Sequence, residues 1–257
     1  MSDEVLVDRD GAVAVVSLNR PAVKNAISFR MWDELLDIFS GFAHDDGVRA
    51  IVLRGTGRNF SAGTDIGDLS AGSGEAPDVR ARQSMQRMRV VTDVVEMMDA
   101  LPQPIVCAVH GVAIGGGMGL ALGGDLVVAA PDAWFRVGTV SLGSMPDAGV
   151  PMQLYRTVGL RRAKQICMLD EPLTADDAER IGLVNRVLDA DDVDTYALTV
   201  ARTLAAAPGG QQVRIKRMLN ALPDRGLSGH LRQEILDVGD CVRDAAYVAV
   251  VDGFVTR

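Results

Sequence analysis

Lysine is nearly absent from this 257-residue chain: Lys24, Lys164 and Lys216 are the only lysines among its 26 basic residues. Any phosphate contact therefore falls mainly to arginine, whose planar guanidinium fork suits it. Cysteine is also scarce. Cys107, Cys167 and Cys241 are odd in number and widely spaced, giving neither a metal pattern nor an obvious disulfide framework. The formal charge of −8 argues against general nucleic-acid binding. The acidic start Met1-Ser-Asp-Glu has no apolar signal core, and no stretch approaches the roughly 18 uninterrupted apolar residues of a membrane span. A cytoplasmic protein without membrane association is expected. His44, His110 and His230 are scattered, and no His, Cys and carboxylate cluster suggests a metal. His110, at a strand end before Gly111, reads as structural.

What the chain has is apolar mass, at 48% hydrophobic residues, enough for a sizeable core in one or two domains. Val5–Val7 and Ala12–Leu18 flank Asp10-Gly11, a hairpin signal. Ser28 is placed to cap a helix whose apolar face carries Trp32, Leu35, Leu36, Phe39 and Phe42. Val48–Leu53 reads as a buried strand and Asp78 to Ala100 as a long helix. The small residues of Ser70–Pro77 suggest a mobile loop. Ile105–Val109, a glycine loop, Met118–Leu122 and Leu126–Ala129 read as strand, loop, helix and strand. Helices are then expected over Gly149–Val158, Arg161–Leu169, Thr174–Ile181, Val193–Ala206, Gln211–Leu222 and Leu227 to about Val251. Strands early and helices late divide the chain into a core over residues 1–190 and a helical region over 191–257.

The glycine loop, Gly115-Gly116-Gly117, has two readings. Without Cβ atoms, its N–H groups can approach a ligand, and at a helix start they are unpaired and favour an anion or developing oxyanion. Alternatively, the glycines allow two backbones to pack closely.

An ordered set of motifs resolves much of this. Asn19-Arg20-Pro21, Lys24-Asn25-Ala26, Phe60–Ile66, His110–Gly117, Asp125, Leu142-Gly143, Pro146–Gly149, Leu173–Ala178 and Gly182–Asn185 resemble the crotonase (enoyl-CoA hydratase/isomerase) superfamily. The resemblance implies an α/β fold, a spiral of ββα units with a C-terminal helical, trimerising region. It also implies acyl-CoA substrates and a homotrimer or dimer of trimers. No cofactor is implied, since CoA arrives as part of the substrate. The backbone N–H groups of Thr64 and Gly116 match the family's oxyanion hole. Lys24, Asn25, Ala26, Ala62, Asp65 and Ile66 match the segments that flank CoA, and Phe254 the C-terminal aromatic near a neighbouring subunit's CoA. Arg20, Arg54 and Arg58 are candidates for phosphate contacts, and Met85 and Met88 for the acyl pocket, with simple core packing the other reading of the methionines.

One departure matters more than the matches. The family's two hydratase glutamates fall at Gly119 and Thr139, so the acid pair that adds water is missing. Asp147 remains, at a place where some family members carry an active aspartate; its other reading is the cap of the following helix. A single carboxylate suffices to move a proton between carbons. An enoyl-CoA isomerase with Asp147 as proton shuttle is therefore expected. The alternatives are an enoyl-CoA hydratase and a non-catalytic acyl-CoA-binding protein. Dehalogenation is a minor option, because the tryptophan it needs near Thr139 is absent.

Overall fold

The computed structural model describes residues 3–70 and 74–255. Residues 71–73 of the expected loop lie outside the described residues. Chain order begins with β1 (Val5–Asp10), β2 (Val13–Leu18), α1 (Phe29–Phe42), β3 (Ala50–Gly55), α2 (Ile66–Ser70) and α3 (Pro77–Ala100). Next come β4 (Ile105–Val109), β5 (Val112–Ile114), α4 (Gly116–Leu122), β6 (Leu126–Ala129) and β7 (Trp134–Arg136). The chain continues through α5 (Val150–Leu169), β8 (Leu173–Thr174), α6 (Ala175–Arg180), β9 (Arg186–Val187) and α7 (Ala190–Ala205). It closes with α8 (Gln211–Asn220), α9 (Leu227–Val242) and α10 (Ala245–Val255).

One sheet runs in the order β1-β2-β3-β4-β6-β9, with β1 antiparallel to β2 and each later neighbour parallel. Its strands read as continuous apolar runs because both faces are covered. Val16, Ile51, Leu53, Cys107 and Val109 face the main core with α1 and α3, while Val15, Val52, Val106 and Ala108 face α7. Helix α7 lies close to the sheet because Ala197, Ala201 and Ala205 recur every fourth residue on its inner side. It thus falls in the helical region by sequence yet completes the sheet's second face. His110 Nε2 and Arg54 bind Asp194 on α7 at 3.1 and 2.7 Å. Burial opposes ionisation of Asp194, but His110 and Arg54 outweigh it and hold the carboxyl below the usual range. His110 is structural, as its position suggested.

Ser28 caps α1, its Oγ accepting the Met31 N–H at 3.2 Å. The two helices expected over 149–169 are both present, within α5, and meet at a kink where Gly159 has φ +75. The expected helix from Leu227 to Val251 is instead two, because the Asp244 carboxylate accepts the Ala246 N–H and starts α10 afresh. The short strands β8 and β9 lie among the helices, where a purely helical region was expected. At two residues each they are too short to show a period of two. No helix is long and apolar enough to cross a membrane among the described residues.

Candidate active site

Two loops meet where α4 begins. Strand β5 pairs with β7, and an isolated parallel bridge joins Ala113 to Ser61; a second joins Ile27 to Thr64. Ser61 is buried and its hydroxyl does double duty, donating to Asn25 O at 2.8 Å and accepting from Gly63 N at 3.0 Å. Contact between the loops depends on missing side chains. A Cβ on Gly63 would stand 2.5 Å from Ile114 O and 3.4 Å from Gly116 N. One on Gly117 would stand 2.6 Å from Ser61 O. The packing reading of the glycine triplet holds: close approach of the two loops is what brings Thr64 and Gly116 side by side.

Among the described residues neither N–H group has a hydrogen-bond partner. In the Ile27 bridge, Ile27 N–H donates to Gly63 O and Asp65 N–H donates to Ile27 O, passing over Thr64. Gly116 opens α4, and the first helical N–H bond inside that turn is Gly119 to Gly115 O, at 2.9 Å. Unpaired donors at a helix start carry the positive end of its dipole.

Gly119, one turn further along α4, explains the missing acid. A Cβ there would lie 2.7 Å from Ala148 Cβ, and closer still to the Ala148 carbonyl oxygen. The space a glutamate would take is filled by the backbone that follows Asp147. Ala148 itself has φ +50, a left-handed conformation unusual for a residue with a side chain. This turn seats Ala148, the residue after Asp147, against α4. At the second acid position, Thr139 presents a buried hydroxyl with no hydrogen-bond partner, a group too weakly basic to replace a carboxylate.

Asp147 is half-buried, and among the described residues no ion pair or side-chain bond engages it. Burial pushes its carboxyl above the usual carboxylate range, with only its own backbone N–H opposing. It does not cap α5: Gly149 occupies the cap position with no side-chain bond, and the Val150 N–H takes the Asp147 carbonyl.

The segments expected to flank CoA are joined into one surface. Ala62 N–H donates to Lys24 O at 2.8 Å, and Arg20 bonds both Ala26 O and Asp65 at 2.7 and 2.8 Å. The Arg20 hydrogen bond holds the Asp65 carboxyl below its ordinary range. Arg20 is thus a brace. Arg54 is likewise committed, to Ser17 and Asp194. Arg58 is exposed, as are Lys24 and Ile66. Asn25 is fully buried, its side chain donating to Thr56 O and Asn59 O and accepting from Arg20 N. Met88 packs on the core, Met85 is open to solvent, and Phe254 is 74% exposed on α10, which packs on α9. A cavity of about 720 Å³ at the far end of α4 is separate from this site. Its Lys216 ammonium is already bonded to Met98 O, Gln103 O and Asp125.

Sequence reasoning did not find the Asn25 and Arg20 braces or Asp170, a buried carboxylate that accepts the Gly138 N–H at 2.6 Å. Arg20 and Asn25 lie in the motifs Asn19-Arg20-Pro21 and Lys24-Asn25-Ala26, which suggested binding rather than bracing; no motif marks Asp170, and the left-handed backbone of Asn25 and Asp170 is invisible in sequence.

Comparison with known proteins agrees with the geometry. The family profile described as enoyl-CoA hydratase/isomerase matches residues 8–241. The 1,2-epoxyphenylacetyl-CoA isomerase of Escherichia coli K12 is 34% identical over 91% of this chain and 88% of its own length. The 4-chlorobenzoyl coenzyme A dehalogenase-2 of an Arthrobacter species is 32% identical over 91% and 84%. The crystal structure of an enoyl-CoA hydratase from Polaromonas sp. JS666 superposes with a TM-score of 0.91 at 27% identity, covering 98% of this chain and 96% of that one.

Proposed function

The chain belongs to the enoyl-CoA hydratase/isomerase family and has the crotonase fold, and from that premise we propose that it is an enoyl-CoA isomerase. The Thr64 and Gly116 N–H groups hold the thioester oxygen as the enolate forms. Asp147 takes a proton from one carbon of the acyl chain and returns it to another, shifting the double bond. Each oxyanion donor is worth about 3–4 kcal/mol in comparable sites. The observation that carries this reading is the half-buried Asp147, without an ion pair among the described residues and next to Ala148, whose backbone fills the space a glutamate at position 119 would need. A desolvated carboxyl with a raised pKa is suited to both halves of a proton shuttle.

The CoA portion lies along Lys24–Ala26 and Ala62–Ile66, with Arg58 the arginine left exposed for its phosphates. The E. coli relative's name makes a ring-bearing acyl group a substrate to test beside linear enoyl chains. The enzyme works in the cytoplasm as a homotrimer or dimer of trimers, with Phe254 reaching a neighbour's CoA. A non-catalytic acyl-CoA binder is the second reading, favoured by the loss of both hydratase acids. Purified protein given linear and ring-bearing enoyl-CoA thioesters separates the two. Double-bond migration that disappears in Asp147→Asn supports the isomerase; tight binding without turnover of any of them supports the binder.

A further inference from the structure

We infer that Asp170 is a positioning residue for the oxyanion donor Gly116, acting through the segment Arg136–Ser141. This deepens the isomerase reading and rests on its oxyanion hole. Asp170 follows the last turn of α5 and is 5% exposed, with φ +52. That left-handed backbone disfavours a residue bearing a Cβ, and glycine adopts it freely.

What offsets the strain is the use made of every oxygen. Oδ1 accepts the Gly138 N–H at 2.6 Å, and Oδ2 accepts the Ser141 N–H at 3.3 Å and Arg136 Nη2 at 3.4 Å. The Asp170 carbonyl accepts Arg136 Nε at 2.9 Å. The clamp therefore seizes both ends of a six-residue segment. That segment leads straight to the site. The Arg136 carbonyl accepts the Gly115 N–H at 3.0 Å, fixing the residue before the donor. Gly138 packs so tightly on Ile114 that a Cβ would stand 2.5 Å from its Cγ2. In the other direction the chain runs on to Asp147. With its carboxylate committed to these donors, Asp170 touches no substrate; it sets where Gly116 points.

The test uses the full chain and a 4-dimethylaminocinnamoyl-CoA probe, whose absorption moves to longer wavelength when its carbonyl is polarised. Asp170→Gly removes the carboxylate and relieves the left-handed strain, so any loss belongs to the clamp. We expect this variant to bind the probe within about threefold of wild type, with a smaller red shift, and to lose roughly tenfold to hundredfold in kcat at little-changed KM. Asp170→Asn, which tolerates the same backbone and keeps an acceptor for Gly138, should recover part of both, and it serves alone if the glycine variant does not fold. A wild-type red shift and kcat in these variants overturn the inference. A wild-type protein that binds the probe with no red shift overturns instead the oxyanion hole on which the inference rests.

Discussion

Desolvation of Asp147 has two measurable consequences of opposite sign. For catalysis, the carboxylate form must be present to take the first proton, so kcat/KM should fall as pH drops through the raised pKa. The acid limb of the pH profile is expected above the usual carboxylate range, and a limb at an ordinary carboxylate value would show Asp147 is not the base. For stability, the folded state holds the Asp147 proton more tightly than the unfolded chain does. Stability attributable to this group is therefore lost as pH rises from the unfolded to the folded pKa. Asp147→Asn should lower isomerase turnover by about 100-fold or more while leaving the melting temperature at neutral pH equal to or above wild type. The stability difference should vanish in acid. Full activity in the variant would rule out the mechanism.

Among elements, the contact between α4 and the turn before α5 decides which chemistry is possible. Gly119 is pressed against Ala148, so restoring a glutamate at 119 does not restore a hydratase. The new side chain must displace the turn that carries Asp147. Overpacking of this kind costs about 1–3 kcal/mol and sometimes more. Gly119→Glu should melt several degrees lower, lose isomerase activity and add no water to crotonyl-CoA; hydration detected by loss of the conjugated thioester absorbance would refute the packing argument. The elements themselves were largely legible. Ser28 announced α1, and the apolar runs announced β2, β3 and β4, because a doubly covered parallel sheet needs uninterrupted hydrophobic strands. Strands β8 and β9 were not legible, since two residues are too few to display a strand's alternation. The boundary at Asp244 was missed for a different reason: helix-compatible residues run on both sides of it, so its capping bond leaves no break in the sequence pattern.

Across the whole molecule, apolar surface is concentrated in the C-terminal helices. Leu227, Ile235, Leu236 and Val238 on α9 are each more than 60% exposed, far more apolar exposure than the sheet and its covering helices leave. Burying it between copies of the chain fits the proposed trimer. Sedimentation equilibrium should give three or six times the mass of one chain, and Ile235→Asp with Leu236→Asp should lower that mass. A monomer at micromolar concentration would remove the oligomer from the proposal.

The sequence by itself displayed the family's motifs, most of the run of strands and helices, and, through that resemblance, the chemistry proposed: two backbone donors, one acid, and Gly119 and Thr139 where the family's hydratases have glutamates. Those follow from residue type and local order, which a linear chain displays. Only the tertiary structure decided that Asp147 is not a cap, that Asn25 and Arg20 are braces, and that Asp170 grips the loop behind Gly116. It also showed why Gly119 cannot simply be an acid here. Apart from the first, these depend on which groups approach each other across roughly 30 to 45 residues of chain, and close approach is a property of the packed fold.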